Sequence, residues 1–133
     1  MAEKITRSYI NAYGDDLPAF RFVKFSDEGK VTLAGAGELA IGVSERNTRW
    51  TASGSGTISY VTPNGEPVSV VLTGICEVEC GGDVSAGDAV ASDANGKAVV
   101  AGVGNFVNGI ALEDGVDGSR IKILITHIIK STS

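Results

Sequence analysis

Two stretches of this sequence align with each other without gaps, and together they decide the fold. Residues 29–43 read Gly-Lys-Val-Thr-Leu-Ala-Gly-Ala-Gly-Glu-Leu-Ala-Ile-Gly-Val, and residues 96–110 read Gly-Lys-Ala-Val-Val-Ala-Gly-Val-Gly-Asn-Phe-Val-Asn-Gly-Ile. The offset is 67 residues. Matched glycines are Gly29, Gly35, Gly37 and Gly42 in the first copy, and Gly96, Gly102, Gly104 and Gly109 in the second. Apolar residues recur in kind, so glycine content alone does not explain the match.

Each copy predicts a turn, a short strand, a glycine-rich bend and a second strand. Glycine at such a bend allows a positive φ or a close approach to a neighbouring backbone. With the flanking turn residues included, the internal repeat covers residues 26–45 and 92–112. Two copies are too few for a solenoid, which needs three or more. We therefore expect the copies to form the two halves of a pseudo-symmetric β-barrel or sandwich.

The rest of the chain continues the same pattern of short β-rich runs separated by turns. Thr62-Pro-Asn-Gly and Asp93-Ala-Asn-Gly are both typical of tight turns. The runs fall at residues 19–25, 30–33, 39–43, 56–61, 68–78, 89–91, 98–100, 107–112 and 121–125. About nine short strands at this spacing indicate an all-β sandwich or barrel. We assign this single domain to residues 19–133 and predict an irregular N-terminal arm for residues 1–18.

Composition excludes several other classes of protein. The chain has 133 residues, of which 18 are glycine, and 43% are hydrophobic. That hydrophobic fraction is too high for a disordered chain, and the glycines keep no three-residue period, which excludes collagen. No apolar run approaches the roughly 20 residues of a membrane helix, and the first residues lack the apolar stretch of a signal peptide. We therefore expect one soluble domain.

No residue set predicts an enzyme. The stretch Gly35–Ala40 resembles a dinucleotide-binding loop, but such a loop opens a helix, and the residues that follow are short and β-like. His127 is the only histidine, so no serine or cysteine triad can be built. Cys76 and Cys80 on one strand would lie about 13 Å apart, too far for a disulfide, and two thiols are too few for zinc. We expect no catalytic residue, no cofactor and no metal.

Charge is unevenly distributed along the chain. The formal net charge is −5, yet residues 66–117 hold nine acidic groups and one basic group, Lys97. An acidic surface repels phosphate backbones, so we expect neither nucleic acid nor a membrane as a partner. The acidic block either simply solvates the surface or keeps an outward face dissolved at high local density, with the more basic termini meeting an acidic partner.

Two regions carry large apolar or aromatic side chains that would face solvent unless another surface packed against them. The N-terminal arm is rich in apolar and aromatic residues, and it either folds back on its own domain or docks on a neighbouring subunit. The only tryptophan follows an arginine, a pair that is either part of the core or an interface anchor. The candidate contact residues are Ile5, Tyr9, Ile10, Tyr13, Leu17, Arg49 and Trp50.

Four segments carry a resemblance to a known family: residues 33–43, 68–78, 84–98 and 108–115. With them, the chain resembles the capsid decoration (cement) proteins of tailed bacteriophages, a small all-β family long without a known function. The resemblance covers most of residues 19–127. It implies a homotrimer that is made in the host cytoplasm, binds the major capsid protein on the outer surface of the virion, and stabilises the mature shell.

Two alternatives stay open at this point. One is another virion β-module, associated with the tail or a fibre. The other is a non-enzymatic carrier or ligand-binding domain, because Ala-Gly-Asp-x-Val followed by Asp-x-x-Gly-Lys also occurs in biotinyl and lipoyl hammerhead domains. Those domains carry Met-Lys-Met or Asp-Lys-Ala at the modified lysine, whereas Lys97 here follows a turn glycine, Gly96. This departure disfavours a carrier.

Overall fold

A computed structural model describes residues 4–45, 51–52, 58–59 and 61–130 of the chain. Regular structure in these residues is entirely β, with no helix, and none of them forms a helix that could cross a membrane. The strands are β1 Lys4–Asn11, β2 Leu17–Pro18, β3 Phe22–Asp27, β4 Lys30–Leu33, β5 Gly42–Ser44, β6 Thr51–Ala52, β7 Ile58–Ser59, β8 Val61–Thr62, β9 Pro67–Glu79, β10 Ala89–Ser92, β11 Ala98–Val100, β12 Phe106–Ala111 and β13 Arg120–Lys130. The all-β prediction is confirmed.

Nine of these strands form one large mixed sheet, in the order β1-β4-β3-β5-β9-β13-β12-β10-β11. The sheet is sandwich-like and does not close into one barrel. Instead, each half curls back on itself: β1 pairs with both β4 and β9, and in the other half Cys80 bridges Ala98 of β11. The strands β2 and β8 form a small second sheet, and β6 and β7 form a third.

The two copies of the repeat have the same strand pairing. In the first copy β3 pairs with β4 on one side and with β5 on the other, and in the second copy β10 pairs with β11 and β12 in the same way. The register also matches at the offset of 67 residues. The pairs Val23–Leu33 and Phe22–Val43 correspond to Val90–Val100 and Ala89–Ile110.

This duplication extends well beyond the residues that are similar in sequence between the two copies. The pairing of β1 with the first part of β9 is repeated by the second part of β9 with β13. Strand β9 is therefore the last strand of one unit and the first strand of the next. The corresponding pairs are Ile10–Pro67 with Glu79–Arg120, Tyr9–Val68 with Val78–Ile121, and Leu17–Thr62 with Val84–Gly115.

Buried apolar residues form two clusters, of which the larger contains residues of both units. The first cluster contains Leu17, Val23, Val31, Val68 and Val70, all buried. Their counterparts in the second unit, Val84, Val90, Ala98, Ile121 and Ile123, all belong to the larger second cluster. Alternating side chains of a strand face opposite sides, so equal register places equivalent residues inside both units. The two units thus bury apolar residues, most of them β-branched, at the same framework positions.

The repeat glycines have three kinds of geometry. The turn glycines Gly29 and Gly96 have φ of 74° and 77°, and Gly37 and Gly104 at the bends have φ of 71° and 84°, a region that favours glycine. Gly42 instead lies against β9, where a Cβ atom would be 2.0 Å from the carbonyl oxygen of Val71. In the remaining pair, Gly35 N–H donates to Glu38 and Gly102 N–H donates to Asn105. Gly109 repeats the close approach of Gly42, with 3.0 Å to the carbonyl oxygen of Leu124.

The N-terminal segment is irregular only in part. Of the described residues 4–18, residues 4–11 form the regular strand β1 and residues 12–16 are irregular. Buried Asn11 organises that stretch: its Nδ2 donates to the carbonyl oxygens of Asp15 and Thr62, and its Oδ1 accepts from the Tyr13 N–H at 2.8 Å. Since β1 pairs along β9 of the same chain, this segment lies on its own domain.

Candidate functional site

The structure does not gather the predicted contact residues into one surface. Arg49 and Trp50 lie outside the described residues, and this prediction stays open for them. Leu17 is buried, at 1% exposed, in the first apolar cluster. Tyr9 is half-buried and packs edge-to-face on Phe25, with ring centroids 5.2 Å apart. These two side chains stabilise the fold.

Three residues of the predicted set remain at the surface. Ile5 is 59% exposed, Tyr13 41% and Ile10 36%. Ile5 and Ile10 are five residues apart on one strand, and the alternation of side chains places them on opposite faces of β1. These residues stay candidates for contacts, but they do not form one continuous patch.

The sequence interpretation missed a different surface, on the outward face of β9, β13 and the end of β12. We call it the outer patch and define it by Ile75, Leu112, Arg120, Lys122 and Leu124. Ile75 lies directly opposite Leu124, and Leu112 N–H donates to the carbonyl oxygen of Lys122 at 2.9 Å. The three apolar residues are each between 37% and 44% exposed. Apolar side chains adjacent in register form a contiguous surface rather than scattered exposures.

Comparison of the two units shows that the outer patch is peculiar to the second one. At the equivalent places the first unit has Thr6 for Ile75, Glu45 for Leu112, Pro67 for Arg120, Ser69 for Lys122 and Val71, which is buried, for Leu124. The same backbone framework therefore carries polar, small or buried residues in one unit and exposed apolar and cationic residues in the other. The framework therefore does not require this patch.

The cations of the outer patch differ from the other cations of the chain. Lys24 contacts Glu38 at 2.8 Å, and Glu79 holds both Arg21 at 3.4 Å and Lys97 at 3.3 Å. In contrast, Arg120 and Lys122 make no ion pair with any other described residue. The Arg120 guanidinium lies 4.4 Å from the centre of the Phe20 ring, a cation–π contact that leaves its N–H groups available.

Lys97 is unsuited to the carrier role that the sequence left open. Its ammonium group is held by the Glu79 carboxylate, and its side chain is only 26% exposed. A carrier lysine must instead be presented to a modifying enzyme at a hairpin tip. The ion pair explains why a lysine follows this turn, since it links the β10–β11 turn to the end of β9.

A cleft of about 600 Å³ adjoins the outer patch. Its walls include Phe20, Glu45 and Cys76 in addition to patch residues. Burial raises the pKa of the Cys76 thiol to about 12, and it also raises the pKa of Cys80, so both thiols are protonated at neutral pH. Both are buried free cysteines, as the sequence predicts. Among the described residues no group of His, Cys, Asp and Glu could hold a metal.

Comparison with known families gives this surface a context. A family profile described as the XM1 gp53 minor capsid protein matches residues 4–125. The chain belongs to this minor capsid protein family. Membership makes it a structural protein of a bacteriophage virion, which confirms the broader part of the resemblance stated from the sequence; a decoration role is narrower than what the family shows.

One solved structure shares the fold of this minor capsid protein. It is the crystal structure of the head fiber gp8.5 N base in bacteriophage phi29, with a TM-score of 0.63 and 16% sequence identity. The match covers 92% of this chain and 94% of that chain. At this identity the similarity establishes the fold alone. No curated protein matches the sequence significantly.

Proposed function

We propose that this minor capsid protein is a non-catalytic decoration protein that binds the outer surface of the mature capsid as a homotrimer and stabilises it. The outer patch supports this proposal most directly. It combines adjacent exposed apolar side chains with two cations, on a face where the other unit of the fold has polar, small or buried residues. Contiguous exposed apolar patches rimmed by polar residues mark interaction sites, and arginine is enriched among the residues that dominate binding energy.

The mechanism of such a protein is thermodynamic. A ligand that binds only the mature shell stabilises it by mass action, in proportion to the logarithm of its free concentration over Kd. Three linked copies of one patch add to this effect, because the second and third contacts form at a high effective concentration. No bond is made or broken. The major capsid protein and other copies of this chain are the partners in this proposal.

Capsid binding is tested by mixing the purified protein with undecorated, expanded capsids and separating them on a gradient. We expect near-stoichiometric retention with the capsids, and no co-sedimentation would contradict the proposal. Light scattering of the free protein tests the trimer separately. We expect a mass close to three times 13.6 kDa, whereas a stable monomer would contradict the trimeric part alone.

Substitutions in the outer patch test which face makes the contact. Leu124→Lys places a third cation in the patch and should reduce retention on capsids by at least about tenfold, the loss expected for about 1.4 kcal/mol. Val100→Lys is the matched control, because Val100 is also about half exposed but lies outside the patch, on β11, the last strand in the sheet order. Equal retention of both variants would exclude the outer patch as the contact.

A second candidate is the base of a head fibre. The observation that favours it is the shared fold with the phi29 head fiber N base, over nearly the whole of both chains. Electron cryo-microscopy of virions distinguishes the two: density over the shell surface supports decoration, and density only at the root of a fibre supports the alternative.

A further inference from the structure

We propose that the cleft beside Phe20 binds an extended, acidic peptide segment of a partner protein by strand addition to the edge of β9 at Ile75 and Glu77. This inference deepens the proposed function, because the cleft adjoins the outer patch. It rests on that function only for the identity of the protein that supplies the segment.

The first observation is an unpaired strand edge inside the cleft. Glu79 N–H donates to the carbonyl oxygen of Phe20 at 2.9 Å, on the side of β9 that faces away from β13. Backbone groups of an antiparallel strand alternate in direction, so the N–H and C=O groups of Ile75 and Glu77 also point away from β13. On that side β5 reaches only as far as Val71. No described strand pairs with Ile75 or Glu77 there, and such an edge is a template for another strand.

The second observation is the conformation of Phe20. Its φ of 66° is the only positive value of a non-glycine residue in the described part of the chain. Phe20 N–H donates to the Ser44 carbonyl oxygen at 2.7 Å, and Arg21 N–H donates to the Ser44 hydroxyl at 3.2 Å, so two residues face one as in a β-bulge. Glycine would occupy this place without strain. Phenylalanine at this place supplies a ring to the cleft wall, and strain of this kind clusters at binding sites.

The third observation is the charge of the cleft, which specifies the occupant. Lys4 is paired with Glu45, which leaves Arg120 and Lys122 against the single carboxylate of Glu77. One added carboxylate would balance the site. The planar guanidinium of Arg120, stacked on a ring, suits a carboxylate that accepts two parallel hydrogen bonds. The patch residues Ile75 and Leu112 supply apolar contacts, so the acidic residue of the segment is expected between apolar neighbours.

The size of the cleft agrees with such a segment. About 600 Å³ lies within the range of sites that enclose small ligands, and a short stretch of extended chain fills a comparable volume. A strand in this position would run between Phe20 and the outer patch. Its main chain would pair with Ile75 and Glu77, while alternate side chains would reach Arg120 on one side and solvent on the other.

Binding is tested with the full chain and a fluorescent synthetic peptide, acetyl-Thr-Val-Asp-Val-Thr-amide, by fluorescence anisotropy. We expect saturable binding below about 1 mM, weakened at least tenfold when lysine replaces the aspartate. Arg120→Gln should weaken binding by a similar factor. Lys30→Gln, an exposed lysine on β4 with no part in the cleft, is the matched control and should leave the affinity unchanged.

Strand addition itself is tested on the peptide, which avoids any change to the fold. N-methylation of alternate amides removes hydrogen bonds from only one edge of an extended peptide. One of the two methylation registers should abolish binding, and the other should preserve it. Equal effects of the two registers, or no saturable binding of the parent peptide, would overturn the inference. Capsid retention is measured in a separate experiment, so a negative peptide result contradicts the cleft site and not the decoration proposal.

Discussion

The substitution Gly42→Ala tests how closely β5 packs on β9. A Cβ atom at residue 42 would lie 2.0 Å from the carbonyl oxygen of Val71 and 2.9 Å from a side-chain carbon of Val70. The obstacle is backbone, which cannot swing aside as a flexible side chain can. The two strands must therefore separate by about 1 Å or more before the methyl group fits, because Cβ atoms do not approach within 3.0 Å.

The expected cost follows from the bonds that this separation weakens. The Val43–Val71 and Ser44–Val70 pairs are the only register pairs between β5 and β9. Weakening two backbone hydrogen bonds costs about 2 kcal/mol, and overpacking adds about 1–3 kcal/mol. We expect the free energy of unfolding to fall by about 3–5 kcal/mol. For a domain of this size, the melting temperature should then fall by roughly 10–20 °C.

Urea denaturation followed by circular dichroism measures this change, at one fixed protein concentration so that any association is the same throughout. Gly29→Ala is the matched control, since the methyl group there meets open space and the cost comes only from the positive φ, about 1–2 kcal/mol. Gly109→Ala, with 3.0 Å to the Leu124 carbonyl oxygen, should fall between them. If Gly42→Ala were no more destabilising than Gly29→Ala, the close approach of β5 to β9 would be refuted.

Three further outcomes are expected. The hydrogen bond from Lys24 lowers the pKa of Glu38 below its ordinary 4.5, so its stabilisation is complete above pH 4.5 and is lost as the pH falls through the lower, folded-state pKa. Glu38→Gln should make the free energy of unfolding less dependent on pH in that window, and an unchanged pH dependence would contradict this. The Cys76 thiol, with its pKa raised to about 12, should resist a thiol reagent at pH 8 until urea is added; rapid labelling of the native protein would refute its burial. Phe20→Gly should relieve backbone strain while losing the Arg120 stack, so that stability by urea denaturation changes by less than about 1 kcal/mol. The same variant should lose at least tenfold in peptide affinity by anisotropy, and unchanged affinity would remove Phe20 from the cleft site.

Local sequence signals were sufficient to predict the turns, because a particular backbone conformation there requires a particular residue type. Gly29 and Gly96 open the two hairpins with positive φ, and the turn at residues 93–96 closes with a hydrogen bond from Gly96 N–H to the Asp93 carbonyl oxygen. Alternation likewise places Arg120, Lys122 and Leu124 on one face of a strand. These signals are local, because turn chemistry and side-chain alternation depend on the chain's own neighbours.

Predicting the contact surface required more than the alternation of side chains along one strand. Leu124 and Ile123 are adjacent and both apolar, yet Ile123 is buried and Leu124 is exposed. Alternation with Arg120 and Lys122 places Leu124 on the outward face of β13, but its position beside Ile75 depends on the pairing of β13 with β9, which no local sequence signal records. For the same reason, Leu17 is buried in the first unit and half-buried Tyr9 packs against the same cluster, although their sequence context permitted an external arm.

Sequence alone was enough to predict the all-β class, the duplicated hairpins and the glycines at their bends, because these depend on short-range sterics and on period-two patterning. Long-range strand pairing was needed to show that β9 belongs to both units and that the duplication includes β1 and β13. Those strands pair through backbone N–H and C=O groups that every residue carries except proline, which has no N–H, so Thr6 and Ile75 can hold equivalent places without any likeness of side chain. The outer patch, the free edge of β9 and the strained Phe20 arise from that long-range pairing.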